Sequence, residues 1–272
     1  MLLALDVSNT TIKAGVFRGS ELVADWRFAT ERARLADEYG MLLKSLFEAA
    51  GFDLLDVTGV SISCVVPPLK SVFEQVASRY LKVEPLIVGP GIEMGLRLAV
   101  DNPKEVGADR IVNTLATHRL YGGPAIAIAF GTATVFDCIS AEGEYMGGAI
   151  APGMVVALES LTRSAAQLYQ VELIRPARAI GKNTVETMQS GMVLGYAGLV
   201  EGLVRRLKRE MSAPDGRIRV IATGGLAEVV APETPAIDVI DPQLTLKGLR
   251  LIYELNRQPT SVEGRSDVGR KA

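Results

Sequence analysis

The first thirty residues alternate short apolar runs with tight polar turns, so MLLALDV, TTIKAGVF and ELVADWRFAT each read as a strand. A helical period takes over in ADEYGMLLKSLFEAAG, where Met41, Leu42, Leu46 and Phe47 supply the apolar positions. VTGVSISCVV then predicts a buried strand, PPLKSVFEQVASRYL a helix entered through proline, and EPLIVG a further strand. The second half repeats the theme. VGADRIVNTLATHRLYG is helical, AIAIAF is an apolar strand, GTAT a turn, and VFDCIS a return strand. LALDVSNTTIKAGVF and AIAIAFGTATVFDCI share their layout but few letters, and together with the strand–helix alternation they predict a duplicated α/β domain. From Gln258 the tail QPTSVEGRSDVGRKA loses this periodicity and is expected to be disordered or frayed.

The strongest helical pattern runs from Asn183 to Met211 and ends in VRRLKREM, with cations where a helix C-terminus favours them. Gly191, Gly195, Gly198 and Gly202 fall on one face of it. At about 1 kcal/mol each against alanine, four helical glycines cost roughly 3–4 kcal/mol. Close packing by another helix, across a dimer or within the chain, is the expected compensation. Glu201, Arg205 and Arg206 in the same segment exclude a membrane GxxxG reading.

Composition narrows the classes. A chain of 272 residues fits one large domain or two ordinary ones, and 48% hydrophobic with 22% charged residues is globular. A formal net charge of −2, with no basic run, argues against nucleic acid as the main partner. Cys64 and Cys138 cannot staple a chain this long, which favours a reducing compartment. No apolar run reaches the ~18 residues of a membrane span, and MLLALDVSNT lacks the basic start of a signal peptide, so a soluble cytoplasmic protein is expected. His118 is the only histidine, which argues against a His/Cys zinc site; a Ser-His-Asp triad would have to use it, and no G-x-S-x-G elbow accompanies it. Carboxylates, hydroxyls, backbone N–H groups, lysine and arginine are the chemistry that remains.

Those groups gather in a few places. The segment Asp6-Val7-Ser8-Asn9-Thr10-Thr11-Ile12-Lys13 follows an apolar strand directly. Its aspartate can hold a hydrated Mg²⁺, its turn offers N–H and O–H donors to phosphate, and its lysine adds a point charge; an ordinary hairpin with an Asx turn is the alternative. The second turn, Phe130-Gly131-Thr132-Ala133-Thr134, has the same donors, with Asp137 after it. Two such turns, one per half, are what clamping a polyphosphate between lobes requires. Gly224 and Gly225 at a strand end permit close approach of a flat ligand such as adenine, or simply make a turn. Asp109 beside Arg110 opens a helix, and reads either as dipole compensation or as a general base with a substrate-binding partner.

In this order and spacing, DVSNTTIK, NPKEVGADRIVN, FGTATVFD, GGAIAPG, IGKNTVETMQSG and ATGGLA closely resemble the type III pantothenate kinases. That family belongs to the acetate and sugar kinase/Hsp70/actin superfamily, and the resemblance runs from Met1 to about Arg257. It implies a duplicated two-lobed actin-like (ribonuclease H-like) α/β fold with an interlobe cleft. The division expected is an N-terminal lobe over 1–117, a C-terminal lobe over 118–257 and a tail over 258–272. The implied activity is ATP-dependent phosphorylation of pantothenate, the first step of coenzyme A synthesis, by a homodimer.

Carried over by position, Asp6 to Lys13 form the first phosphate turn with Asp6 toward Mg²⁺, Gly131 and Thr132 meet ATP from the second, and Gly224 and Gly225 line the adenosine side. Asp109 takes the proton from the substrate hydroxyl, and Val100, Gly107, Ala108 and Arg110 line the pantothenate pocket with it. Thr184 reaches the substrate, across the dimer in the family's manner. Three positions depart from the family pattern: Ser8 replaces a turn glycine, Val100 a pocket tyrosine, and Ala129 an aspartate associated with a monovalent cation, K⁺ or NH₄⁺. A non-catalytic, nucleotide-binding or regulatory homologue is the alternative those three positions favour, whereas GADR and IGKNT disfavour a sugar kinase.

Overall fold

The computed structural model of the chain describes residues 1–213 and 216–257; the expected disorder from Gln258 onward lies outside them. The first half opens with β1 (Leu2–Val7), β2 (Thr11–Arg18) and β3 (Glu21–Ala29), followed by α1 (Ala36–Ala49), β4 (Gly59–Cys64), α2 (Pro67–Val76), β5 (Leu86–Ile87) and α3 (Ala108–Tyr121). The second half holds β6 (Ala125–Phe130), β7 (Ala133–Ile139), β8 (Tyr145–Pro152), α4 (Met154–Ser164), α5 (Thr184–Glu210), β9 (Arg219–Gly224), α6 (Ala227–Val230), β10 (Val239–Ile240) and α7 (Leu244–Arg257).

Each half builds one five-stranded mixed sheet, ordered β3-β2-β1-β4-β5 in the first and β8-β7-β6-β9-β10 in the second. In both, the opening strand is central. It pairs antiparallel with the hairpin strand that follows it and parallel with the strand that returns after the helices. The two sheets therefore repeat one topology, which is the duplication predicted from layout alone.

Strand alternation decides what covers each face. Leu3, Leu5 and Val7 of β1 pack with Tyr39, Leu43 and Phe47 of α1 and with Leu69, Phe73 and Val76 of α2. Ile126, Ile128 and Phe130 of β6 pack with Val193, Ala197 and Val200 of α5. The alternate residues are small. Ala4 lies in a cluster with Val112 and Leu115 of α3 and Leu249 and Ile252 of α7, and Ala125 and Ala127 lie with Ala116 of α3 and Leu244 of α7. Helices α3 and α7 thus form a central layer between the two sheets, and the small side chains on the inner faces let that layer sit close.

The sequence expectations miss some boundaries. EPLIVG contributes only the two-residue β5, and the helix begun at Pro67 passes into a π-helical turn over Ala77–Leu81. The segment containing GGAIAPG forms β8, a strand with alternating burial, because its glycines and alanines fit an edge whose partner is β7.

The glycine stripe of α5 also has a different environment from the one intrachain packing would give. Gly191, Gly195 and Gly198 are exposed, and a Cβ built on any of them would meet nothing within 4 Å. Among the described residues no helix packs on this face, so close approach between them does not account for the stripe.

Candidate active site

The central strands of both sheets end at the same level, and their following turns meet. Thr10 and Thr132, one at the tip of each turn, place their hydroxyl oxygens 2.9 Å apart. In the first turn the Ser8 amide donates to the Thr11 carbonyl, and the Thr30 hydroxyl donates to the Ser8 carbonyl from β3's far end. In the second, the Gly131 amide donates to the Ala133 carbonyl, and the Gly153 amide to the Thr132 carbonyl. Lys82 is the only non-glycine described residue with positive φ. Serine at position 8 therefore needs no left-handed backbone, and this departure from the family's glycine leaves the turn unstrained.

Asp6 occupies the last inward-facing position of β1, between Lys13 of β2 and Ser63 of β4 in the strand register. It is 4% exposed, and burial pushes its carboxyl up to about 6 against the opposing pull of Lys13. Lys13 is lowered by the same desolvation. Among the described residues no short hydrogen bond satisfies the Asp6 carboxylate: the Ser8 hydroxyl stands 3.5 Å from each oxygen. The Ser63 hydroxyl lies close enough to favour its ionised form but makes no well-formed bond, and is buried without a partner.

Asp109 comes to this place from α3. Gly107 caps that helix, and a Cβ there would stand 2.6 Å from the Asp109 carboxylate, so glycine leaves the room the carboxylate uses. Burial raises the Asp109 carboxyl above its ordinary value, against the lowering effect of the Arg110 amide and guanidinium. Its charge in turn raises Asp6, so the two carboxyls share one electrostatic environment.

Arg110 turns to the other sheet. Its Nε and Nη2 donate to one oxygen of Asp137 on β7, at 2.8 and 2.7 Å, and its Cζ sits 5.4 Å from the centre of the Tyr145 ring. Asp137 is 1% exposed, and burial pushes it up to about 6 even with the guanidinium beside it. The sequence marked Asp137 only as following the second turn. Tyr145 went unnoticed, and nothing local distinguishes it from a core tyrosine.

Val100 stands before this cluster. A Cβ on Gly147 of β8 would lie 3.6 Å from its Cγ1, so the aliphatic side chain abuts the second sheet. Gly224 ends β9 at φ +101°, and a Cβ there would meet the Phe130 carbonyl oxygen at 2.3 Å. Only glycine allows β9 to approach the second turn this closely. Gly225 beside it opens to free space.

Thr184 is not brought to Asp109 within the chain. It is exposed at the first position of α5, where Asn183 caps the helix by accepting from the Glu186 amide at 2.9 Å. There it borders an apolar cavity of about 710 Å³ lined by Leu161, Leu168, Met188 and Gly191.

Buried carboxylates at a cleft closed by two hydroxyl-bearing turns can accept a proton, hold a hydrated cation and hydrogen-bond phosphate oxygens. A family model described as "Type III pantothenate kinase" matches residues 2–206. The type III pantothenate kinase of Roseiflexus sp. (strain RS-1) is 57% identical over 259 residues, which is 94% of this chain and all of that one. Among solved structures, the chain is similar to the activator of the 2-hydroxyisocaproyl-CoA dehydratase from Clostridium difficile with bound ADPNP. The TM-score is 0.51 at 11% identity, covering 98% of this chain and 99% of that one. It is also similar to an inorganic polyphosphate/ATP-glucomannokinase from Arthrobacter sp. strain KM, with a TM-score of 0.50 at 14% identity over 93% and 97% of the two chains. At such identities the likeness is one of fold, the two-lobed actin-like arrangement. No described helix is long and apolar enough to cross a membrane.

Proposed function

This chain belongs to the type III pantothenate kinase family and transfers a phosphoryl group from ATP to pantothenate in coenzyme A synthesis; from that premise we propose how its residues divide the work. Asp109 accepts the proton of the pantothenate hydroxyl as its oxygen attacks the γ-phosphorus, and the bond to the ADP oxygen breaks in line. The observation that carries this assignment is the placement of Asp109. It is a half-buried carboxyl on the first turn of α3, raised above its ordinary value by desolvation, and close enough to Asp6 for the two charges to interact.

The hydroxyls of residues 8–13 and of Thr132, with the turn amides other than those of Ser8 and Gly131, which close the turns themselves, take the phosphates between them, and Thr10 and Thr132 mark where the turns converge. Lys13 adds a positive charge beside Asp6. Gly224 and Gly225 leave room for the adenosine. Gly107, Ala108, Arg110 and Val100 border the acceptor, which loses an aromatic wall where valine replaces the family's tyrosine. The expected lobe division at 117/118 falls inside α3, so in this scheme the lobes meet at that helix rather than in a linker, with α7 packing back on the first sheet.

Mg²⁺ fits Asp6, because its buried carboxylate lacks a short hydrogen bond and the Ser63 hydroxyl beside it is unpartnered. The ion supplies charge neutralisation for the β- and γ-phosphate oxygens when bound. A monovalent cation fits poorly. Ala129 lies between Val135 and Thr223 in the register, so the Thr223 hydroxyl is the only side-chain oxygen among its direct strand partners. Asp137, one row further along β7, is committed to Arg110.

A homodimer that buries the exposed glycines of α5 would bring a partner helix to this face. Thr184 at the start of the same helix then lies near the subunit boundary. The test of the assignment is a coupled kinase assay with ATP, Mg²⁺ and pantothenate. Asp109→Asn keeps shape and ATP binding and should lose ~10²–10⁴-fold in turnover, the usual contribution of a general base. A variant turning over at the parent rate removes Asp109 from the mechanism.

A further inference from the structure

The acceptor side of the cleft is built from first-half residues that are fastened to the second sheet. Tyr145 does part of this through its backbone. Its amide donates to the Arg97 carbonyl at 2.8 Å, and its carbonyl accepts from the Ala99 amide at 2.8 Å, which fixes the segment leading to Val100. Asp137 does the rest through its side chain, by accepting both Arg110 bonds on a single oxygen. The Tyr145 ring lies against the guanidinium, and its hydroxyl lies beside the Asp137 carboxylate, close enough for each to move the other's pKa.

A buried ion pair is a weak source of stability, because desolvation offsets most of the attraction, but its geometry is narrow. Here that geometry acts on the helix turn that carries Asp109. The turn begins at Gly107, whose cap has no side-chain hydrogen bond, and among the described residues Arg110 makes its only ion pair.

We propose that Asp137 is a positioning residue for phosphoryl transfer: by fixing Arg110 it orients the first turn of α3, and with it Asp109, toward the acceptor hydroxyl. The proposal rests on the assignment of Asp109 as base. Among the described residues Asp137 hydrogen-bonds to Arg110 and to neither phosphate turn, so its effect falls on the acceptor side and not on ATP.

Steady-state kinetics of Asp137→Asn and Tyr145→Phe, each varied separately in pantothenate and in ATP beside Asp109→Asn, test it. Asn keeps the shape of Asp137 and removes the charge. For Asp137→Asn, kcat/KM for pantothenate should fall about tenfold to a hundredfold, as for loss of a charge-assisted bond, while KM for ATP stays within about twofold. Tyr145→Phe keeps the ring and should show the same split at a smaller size. A KM for ATP that rises as far as kcat/KM for pantothenate falls, alongside a lowered Tm, or parent kinetics in Asp137→Asn, overturns the proposal. Should Asp137→Asn fail to fold, Tyr145→Phe decides: parent kinetics there overturn it. If Asp109→Asn is fully active, the base assignment falls and the proposal with it. An inactive Asp109→Asn beside an unaffected Asp137→Asn refutes the proposal alone.

Discussion

The two phosphate turns occupy the same place in two copies of one topology, yet they carry different charge. The next-to-last residue of β1 is Asp6, flanked by Lys13 and Ser63; the next-to-last residue of β6 is Ala129, flanked by Val135 and Thr223. Each central strand thus keeps a buried, unpartnered hydroxyl on its parallel neighbour, but only the first keeps a carboxylate and an ammonium. In the second sheet the charge sits one row back, at Asp137 opposite Ala127, where Arg110 holds it. In the first sheet the corresponding position on β2 is Gly15, opposite Ala4. Duplication supplied two equal scaffolds. In the proposed scheme the reaction centre is asymmetric because the first turn holds charge for the phosphates, while the second turn is neutral and the charge of its sheet, one row back on β7, holds a guanidinium for the acceptor side.

The largest effect expected from erasing this difference is at Asp6. Asp6→Asn leaves neither turn with a carboxylate and Lys13 without its counter-charge, and turnover should fall by roughly 10²-fold or more, as for loss of a preorganised electrostatic group. Stability should move the other way. The raised value means the folded protein holds this proton more tightly than the unfolded chain does. The group's contribution is therefore fully present below about pH 4 and is lost as pH rises through about 6. In Mg²⁺-free buffer, Asp6→Asn should gain roughly 2–3 kcal/mol over the parent at pH 7.5 and almost nothing at pH 4, readable by denaturant titration. An equal difference at both pH values would mean the carboxylate is not held at a desolvation cost.

Activity should share that acid limb. Asp109 must be ionised to take a proton, and its carboxyl is raised by burial, so kcat/KM should climb with pH above the ordinary carboxylate range. A profile already flat at pH 4.5 would place the base elsewhere.

A smaller effect is expected away from the cleft, at the glycines of α5. Gly195→Leu adds bulk to a face that is open in the single chain, so the monomer should fold normally while self-association weakens. Overpacking a tight contact costs roughly 1–3 kcal/mol, a shift in the dimer dissociation constant that sedimentation can resolve. A parent that sediments as a stable monomer would rule out the interface.

Much of this arrangement could be read before the fold was seen. Strand periodicity and hydroxyl-rich turns predicted the duplication and located the two turns that the structure brings together, because these are local patterns. GADR placed Asp109 at a helix start for the same reason. What escaped was non-local. The Arg110–Asp137 pair joins residues 27 apart on different elements, and Tyr145 looks like any strand aromatic until its neighbours are known. The central placement of α3 and α7 between the sheets depends on small inward residues such as Ala4 and Ala127, whose meaning appears only when both sheets are paired. The glycine stripe was visible in the chain, but its open surroundings were not.

The smallest effect concerns the neutral turn itself. Ala129→Asp restores a carboxylate beside Thr223 and should bring a few-fold K⁺ activation. Its Tm must be measured alongside, since an unpaired buried aspartate is destabilising. The unaltered enzyme gives the most direct test of the asymmetry. Phosphopantothenate formation should be followed at fixed ionic strength and saturating Mg²⁺ and ATP, with K⁺ varied from zero against a large inert cation. A second turn with no carboxylate offers nothing to hold K⁺ firmly, so the rate should stay level across the titration. A rate that depends strongly on K⁺ would contradict the account, because some group near Ala129 would then be supplying the charge that the structure assigns to the first turn alone.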